Sequence, residues 1–434
     1  MTAAGKTAEI CRLTPGSAFM IYTSSGYMRA LLSEKNMENE ATYKTLCDPN
    51  VLMDAAKKCM KGVMWKYSTQ AFYLDRIERI RITKERLEKR ERMSDGFVQF
   101  TVCERGKKRD IRSIHINERV VHRAENDNIL VPVLRPKLIY DNAASLKDRG
   151  VHFALKRLKV HLWKYYREHG TNDGYVLIGD LHAYFDSIDH DVVFREYSRI
   201  FGYDPDVVNL TMDFIDAFGE KSLGLGSQVS QMTAVFYPNR IDHYIKEQLK
   251  IKGYGRYMDD FYLIHESREH LKDCLKVIRE MYQDIGIELN ERKTKIVSLS
   301  EGFKFLKGKV HLTETGRVVM RPDRGTITRE RRKLKALRRK LDEGKIQFSD
   351  VRQAYNSWLG HIKHFDSYRT RRNMDKLFNE LFQKEIKDER SGNNGKREKH
   401  LKFRGEFKQY DFPERISPAE RRHRIEGDSE RYNV

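Results

Sequence analysis

Between Gly255 and Ile264 the chain reads Gly-Arg-Tyr-Met-Asp-Asp-Phe-Tyr-Leu-Ile, with two adjacent carboxylates between apolar, aromatic-rich arms. Apolar runs on either side of a two-residue polar break predict a tight β-hairpin with Asp259 and Asp260 at its tip. The arms need burial, and two like charges side by side cannot both stay ionised without a counter-cation. An isolated Asp-Asp turn is usually just solvated. A second carboxylate strand changes that reading. Tyr175-Val176-Leu177-Ile178-Gly179-Asp180 holds a continuous apolar run bounded by Gly174 and Gly179, the pattern of a strand covered on both faces, and it ends on an acid. A helix is expected after it, capped by Ser187 or Asp189 and stopped at Gly202. If the two strands neighbour each other in one sheet, three carboxylates converge. Such a group can hold two Mg²⁺ ions about 3.5–4 Å apart, as in-line phosphoryl transfer requires.

Tyr257-Met258-Asp259-Asp260 resembles the Tyr-x-Asp-Asp box of reverse transcriptases, and Asp180 to Phe185 resembles their first palm motif. The similarity runs from about Lys61 to about Phe382. It looks strongest to prokaryotic enzymes: group II intron, retron, diversity-generating and phage-defence reverse transcriptases. The resemblance implies an α+β, right-hand polymerase. Its parts would be an N-terminal extension (1–60), fingers (61–170), and a palm of antiparallel sheet and helices carrying the catalytic hairpin and primer grip (171–320). A helical thumb (321–386) and a basic, polar, partly flexible tail (387–434) would follow.

Composition agrees with a polyanionic partner. Lys and Arg number 83 against 63 Asp and Glu, a formal net charge of +20, and each neutralised phosphate releases a counterion. The five cysteines contain no Cys-x-x-Cys pair, so neither a zinc site nor a disulfide framework is expected. No apolar run approaches the roughly 18 residues of a membrane span, and the N-terminus lacks a signal-peptide core. The expectation is a soluble cytoplasmic protein.

Within the resemblance, Asp180, Asp259 and Asp260, with the Leu181 backbone, would hold two Mg²⁺ ions, Mn²⁺ being an alternative. Strand-like alternation over 97–102 and 109–114 flanks a basic turn, which resembles the fingers hairpin that grips the incoming triphosphate. Arg109 is the first candidate there, with Lys107, Lys108 and Arg112 behind it, because guanidinium binds phosphate oxygens bidentately. Phe185, five residues past Asp180, would be the steric gate that excludes a 2′-hydroxyl. Leu223-Gly224-Leu225-Gly226-Ser227-Gln228 stands where the family carries Leu-Pro-Gln-Gly. Gly224, Leu225, Gly226 and Gln228 would line the nucleotide pocket, and the departure implies altered fidelity or template use. Lys293 would neutralise or protonate the leaving pyrophosphate.

Primer and template contacts are expected from Lys147, Arg149, Tyr257 and Met258, and from the primer grip at Phe305, Leu306 and Gly308. Arg331, Arg332, Lys335, Arg338 and Arg339 would add a nearly one-signed thumb helix face. That helix is expected from a Thr328 cap to Gly344, burying Leu334, Leu337 and Leu341. Other expectations are short helices over 1–60, one helix over Met232–Gln248, and a sheet-covering helix over Ser267–Asp284. A flexible joint is expected at 391–395.

The activity implied is RNA-directed DNA synthesis from dNTPs on an RNA template and DNA primer. The favoured setting is a dedicated non-coding RNA in a bacterial anti-phage defence system. Alternatives are a diversity-generating enzyme, an untemplated or protein-primed DNA polymerase, and an RNA-binding scaffold or maturase. A second copy of the chain or an accessory protein, engaging the extension or tail, completes the expected partners.

Overall fold

The apolar run that begins at Tyr175 is a strand buried from its second residue to its last, and the elements around it supply its cover. The computed structural model describes residues 19–22, 28–31, 42–104 and 107–389. The chain divides into two units, Met1–Thr328 with Gly360–Ser367, and Arg329–Leu359 with Tyr368–Val434. The expected joint at 391–395 and most of the expected tail lie outside the described residues.

In the first unit, strands β1 (Phe19–Tyr22) and β2 (Met28–Leu31) pair antiparallel. Helices α1 (Pro49–Met60), α2 (Tyr67–Leu74) and α3 (Arg76–Glu88) follow. The expectation of short helices alone over 1–60 therefore misses a hairpin. Strands β3 (Phe97–Glu104) and β4 (Lys107–Ile114) form the expected basic hairpin. Helices α4 (Ile116–Glu125), α5 (Val131–Leu134) and α6 (Val151–His169) lead to β5 (Tyr175–Asp180).

Beyond β5, helix α7 (His190–Ile200) is capped by Asp189, whose carboxylate accepts from the Asp191 and Val192 amides. Helix α8 (Pro205–Asp216) comes next. Residues 232–248 are not one helix. They belong to α9 (Gln228–Phe236) and α10 (Asn239–Glu247), separated at Tyr237-Pro238. Proline has no amide hydrogen to donate and crowds the preceding turn, so the helix breaks there.

Strands β6 (Gly253–Tyr257) and β7 (Asp260–His265) form the central hairpin, and α11 (Arg268–Gln283) starts on a Ser267 cap. Strand β8 (Lys295–Ser298) completes a four-stranded antiparallel sheet of order β6-β7-β5-β8. Leu271, Cys274, Ile278 and Tyr282 of α11 are buried, and the Tyr282 ring stacks on Phe261 at 6.1 Å. Gly179 makes that layer possible. A Cβ at this position would lie 2.0 Å from the Phe261 ring.

Strands β9 (Phe303–Phe305), β10 (Gly308–Leu312) and β11 (Val318–Pro322) form a second, three-stranded sheet. Leu306 and Lys307 make its first turn with φ of 44° and 66°, the left-handed pair that a two-residue hairpin loop needs.

Helix α12 (Arg324–Asp342) begins four residues before the expected Thr328 cap. Asp323 accepts from the Gly325 amide and can do that work earlier. In the second unit Leu334 is fully buried, whereas Leu337 and Leu341 are only partly covered. Helices α13 (Phe348–Ile362) and α14 (Tyr368–Leu381) follow. Tyr355 of α13 stacks on Phe378 of α14 at 4.4 Å and donates to Asp375. Among the described residues no helix is long and apolar enough to cross a membrane.

Candidate active site

Antiparallel pairing of β5 with β7 places Asp180 directly opposite Asp260, with Cα atoms about 4.5–5.5 Å apart in such a pair. Asp260 is not at the hairpin tip as its sequence suggests. It opens β7 and pairs with Tyr257, so the two-residue loop is Met258-Asp259. Met258 adopts φ 55° there, the left-handed region. One further bond sets Asp259 beside Asp180: the Leu181 amide donates to the Asp259 carbonyl at 3.0 Å. On its other side the strand end is tied to the turn before β8, where the Asn290 amide donates to the Asp180 carbonyl at 2.8 Å. That turn delivers Lys293, whose Nζ donates to both carboxylate oxygens of Asp180 at 2.8 and 2.7 Å.

The electrostatics follow from this crowding. Burial, then the neighbouring charges of Asp259 and Asp180, push the Asp260 carboxyl up to about 7, against the lowering influence of Lys293 and Lys307. The bond to Asp180 raises the Lys293 ammonium above its ordinary value. Lys307, on the turn between β9 and β10, is thus close enough to act on the site, which its sequence position did not reveal.

Among the described residues, no three His, Cys, Asp or Glu side chains form a ready-made metal cage; Asp180 faces the Lys293 ammonium. The donor chemistry nevertheless fits a hard divalent cation. Two carboxylates in register and a third on the adjoining turn are all oxygen donors, and the raised Asp260 marks negative charge short of a counter-ion. Below pH 7 the Asp260 carboxyl holds a proton that an incoming cation displaces. Titrating the metal-free chain with Mg²⁺ at pH 6.5 should therefore release protons, and Asp260→Asn should release far fewer. Equal release from both would place the titrating group elsewhere.

The motif after α8 lies beside Phe185. The Leu223 amide donates to the Phe185 carbonyl at 2.7 Å, and the Ser222 amide to the Ile188 carbonyl at 3.0 Å. Phe185 is half-buried, at the edge of the core. Gly224 is buried, and a Cβ there would fall 2.0 Å from the Phe218 ring. Gly226 turns the chain at φ 110° and is open on its Cβ side, and Leu225 is half-buried. Gln228 opens α9 with its side-chain oxygen buried and without a hydrogen-bond partner. Ser227, the α9 cap, is pinned by buried His122 at 2.8 Å, which also meets Glu118 at 3.1 Å.

Of the basic hairpin, Lys108 is exposed. Arg112 donates to the Phe218 carbonyl at 2.6 Å and lies over the Phe97 ring. The side chains of Lys107 and Arg109, the leading candidate, lie outside the described residues. Lys147 is exposed, while Arg149 donates to the Asn142 carbonyl at 2.6 Å. Tyr257 and Met258 are half-buried at the turn that carries Asp259. Phe305 is buried edge-on against Tyr262 of β7 at 5.1 Å, Leu306 is half-buried, and Gly308 is buried with its Cβ position 2.8 Å from the Phe365 ring. In the second unit, Arg331, Arg332, Lys335 and Arg339 are exposed. Arg338 is committed to Asp342 and Glu385.

One pair escaped the sequence reading. Arg256, in the middle of β6, is fully buried and bound to equally buried Asp242 at 2.7 Å. It also donates to the Met258 carbonyl at 3.1 Å and the Val235 carbonyl at 2.7 Å, so a buried ion pair holds the Met258-Asp259 loop from beneath. An arginine inside an apolar strand is the available signal, since such a charge needs a buried acid.

An antiparallel sheet with one acid ending a strand and two more at the adjoining hairpin, with Phe261 against α11 and its neighbour Tyr262 against α6, has the arrangement of a right-hand polymerase palm. Residues 107–309, a little under half of the chain, match the family described as reverse transcriptase (RNA-dependent DNA polymerase). Similar solved structures are telomerases. That of Candida albicans, in complex with a TWJ fragment of telomeric RNA, is 13% identical over 52% of this chain and 46% of its own, with TM-score 0.42. The apo telomerase of Candida tropicalis truncated from its C-terminal domain is 14% identical over 52% and 55%, with TM-score 0.42. The apo telomerase of the same species is 15% identical over 51% and 48%, with TM-score 0.39. The chain spans about half the length of these structures. No curated protein matches the sequence.

Proposed function

We propose that the chain extends a DNA primer with dNTPs on an RNA template, the template being a dedicated structured RNA in a bacterial anti-phage defence system. The observation that carries the polymerase reading is Asp180 opposite Asp260 with Asp259 on the adjoining turn, inside the segment that matches the reverse transcriptase family. In this reading residues 61–170 are the fingers, 171–320 the palm and 321–386 the thumb.

Asp180, Asp259 and Asp260 would hold Mg²⁺, which when bound supplies Lewis-acid activation of the primer hydroxyl and charge neutralisation at the triphosphate. Lys293 leaves Asp180 to meet the leaving pyrophosphate. The half-buried Phe185 ring limits space beside the sugar, and the hairpin at Phe305 to Gly308 holds the primer end. Catalysis is then positioning and electrostatics.

Phe185→Val should relax sugar selection, lowering the dNTP-over-rNTP ratio of kcat/KM by roughly ten- to a hundredfold. An unchanged ratio would remove Phe185 as the gate. The Gly226-Ser227-Gln228 continuation resembles defence and diversity-generating enzymes alike, so it favours these two settings over an intron one, and the choice of defence rests on the overall look of the sequence. Sequencing nucleic acid that co-purifies with the chain tests it. A single cellular RNA with complementary DNA supports the reading, and no DNA complementary to any co-purified RNA counts against it. Incubation with single dNTPs and no primer separates templated from untemplated or protein-primed synthesis.

A further inference from the structure

A cavity of about 500 Å³ opens between α6, the α10–β6 connection and the far end of β7. Asp260 starts β7 and Ile264 lines the cavity, so the two lie about 13 Å apart along the strand. The cavity is distinct from the polymerase site.

Its lining carries five Lys or Arg against three carboxylates, a surplus of two positive charges before any histidine is counted. The surplus is built in. On one wall the buried Asp141 carboxylate serves two full cations, Arg157 at 2.5 Å and Lys246 at 3.0 Å. One negative charge thus faces two positive ones at a partly desolvated wall. Burial alone would raise Asp141, but His161, Arg157 and Lys246 hold it well below the usual carboxylate range, so it stays ionised and cannot balance both. Lys252 is neutralised by Glu168 at 2.6 Å. Lys164 and Lys250 are exposed and have no ion-pair partner among the described residues. A flat aromatic surface is present too, where the rings of His169 and Tyr165 stack at 4.4 Å, with His169 Nδ1 held to Glu266 at 3.1 Å.

We propose that this cavity binds a small phosphate-bearing ligand of nucleotide size. The phosphate is held by Lys164 and Lys250 against the Arg157–Lys246 wall, and a planar base lies on the His169–Tyr165 face. The volume is in the range of small-molecule sites, and a phosphate supplies the missing negative charge at a partly desolvated wall, where it counts for more than in water. The wall is joined to the catalytic hairpin. The Arg256 amide donates to the Asp141 carbonyl at 3.2 Å, and the Ala143 amide to the Arg256 carbonyl at 3.0 Å. Occupancy would therefore stiffen the strand that carries the Met258-Asp259 turn.

The test is calorimetric titration of the full chain with AMP in EDTA, with inorganic phosphate as competitor and adenosine as the uncharged control. Saturable one-to-one binding is expected. The double variant Lys164→Glu, Lys250→Glu should weaken it about tenfold or more, and Lys164→Ala, Lys250→Ala less, with unchanged melting temperatures. Asp180→Asn and Asp259→Ala should bind AMP as the wild type does, which keeps this outcome separate from that of the polymerase reading. Competition by phosphate supports the proposal. Adenosine binding as tightly as AMP, unchanged affinity in the double Glu variant, or loss of binding in the Asp259→Ala protein would each overturn it.

Discussion

Asp259→Ala should lower dNTP incorporation by about a thousandfold or more while leaving RNA affinity little changed. The reason is local. Asp259 sits on a two-residue loop whose backbone is fixed independently of its side chain, through the Leu181 amide on its carbonyl and the pairing of Tyr257 with Asp260. Truncation thus removes a carboxylate without unfolding the turn. In the proposed function RNA affinity is expected from dispersed basic surface, such as the exposed Arg331, Arg332, Lys335 and Arg339, whose charge the loss of one carboxylate does not remove. Primer extension and filter binding on the same preparation read the two quantities. Full incorporation by the variant would end the claim that this acid takes part in the chemistry. Parallel loss of RNA binding would mean that the acid organises the interface instead.

Asp242→Ala should destabilise the protein by about 3–5 kcal/mol, the cost of leaving one charge of a buried pair without its partner. Arg256 would keep only the Val235 and Met258 carbonyls in a fully buried position, and the Tyr254 hydroxyl would lose its acceptor. The double substitution Asp242→Leu, Arg256→Met should recover most of that stability, because a well-packed apolar pair replaces a buried ion pair at little cost. It should not recover activity fully, since the tether to the Met258 carbonyl is gone. Urea denaturation and primer extension on both variants measure this split. A single Ala variant as stable as the wild type would show the pair to be solvated. A double variant with full activity would show the tether to be dispensable.

Much of the site was legible in the chain. Gly-Arg-Tyr-Met-Asp-Asp and the run ending at Asp180 predicted two strands and their acids, and of the two caps offered, Ser187 and Asp189, the second caps α7, because hydrophobic period and capping are local properties. Local pattern failed where a single residue shifts an element boundary. Pro238 splits a helix that apolar spacing runs straight through, and Asp323 starts α12 a turn early. Non-local pairing was harder still. Nothing near Arg256 in the sequence names Asp242 as its partner, and nothing near Lys307 says that its charge acts on Asp260.

The sequence alone determined that the run ending at Asp180 and the arms around Met258-Asp259 are strands, which depends on residue order over a few positions, and that the chain carries a large positive excess, which is composition. Only the tertiary structure decided that Asp180 stands opposite Asp260, that Lys293 occupies Asp180, and that Asp141 is shared by two cations at a cavity wall. Those facts depend on strand register and on side chains far apart in the chain meeting out of water, where one unit of charge more or less changes what the site can hold.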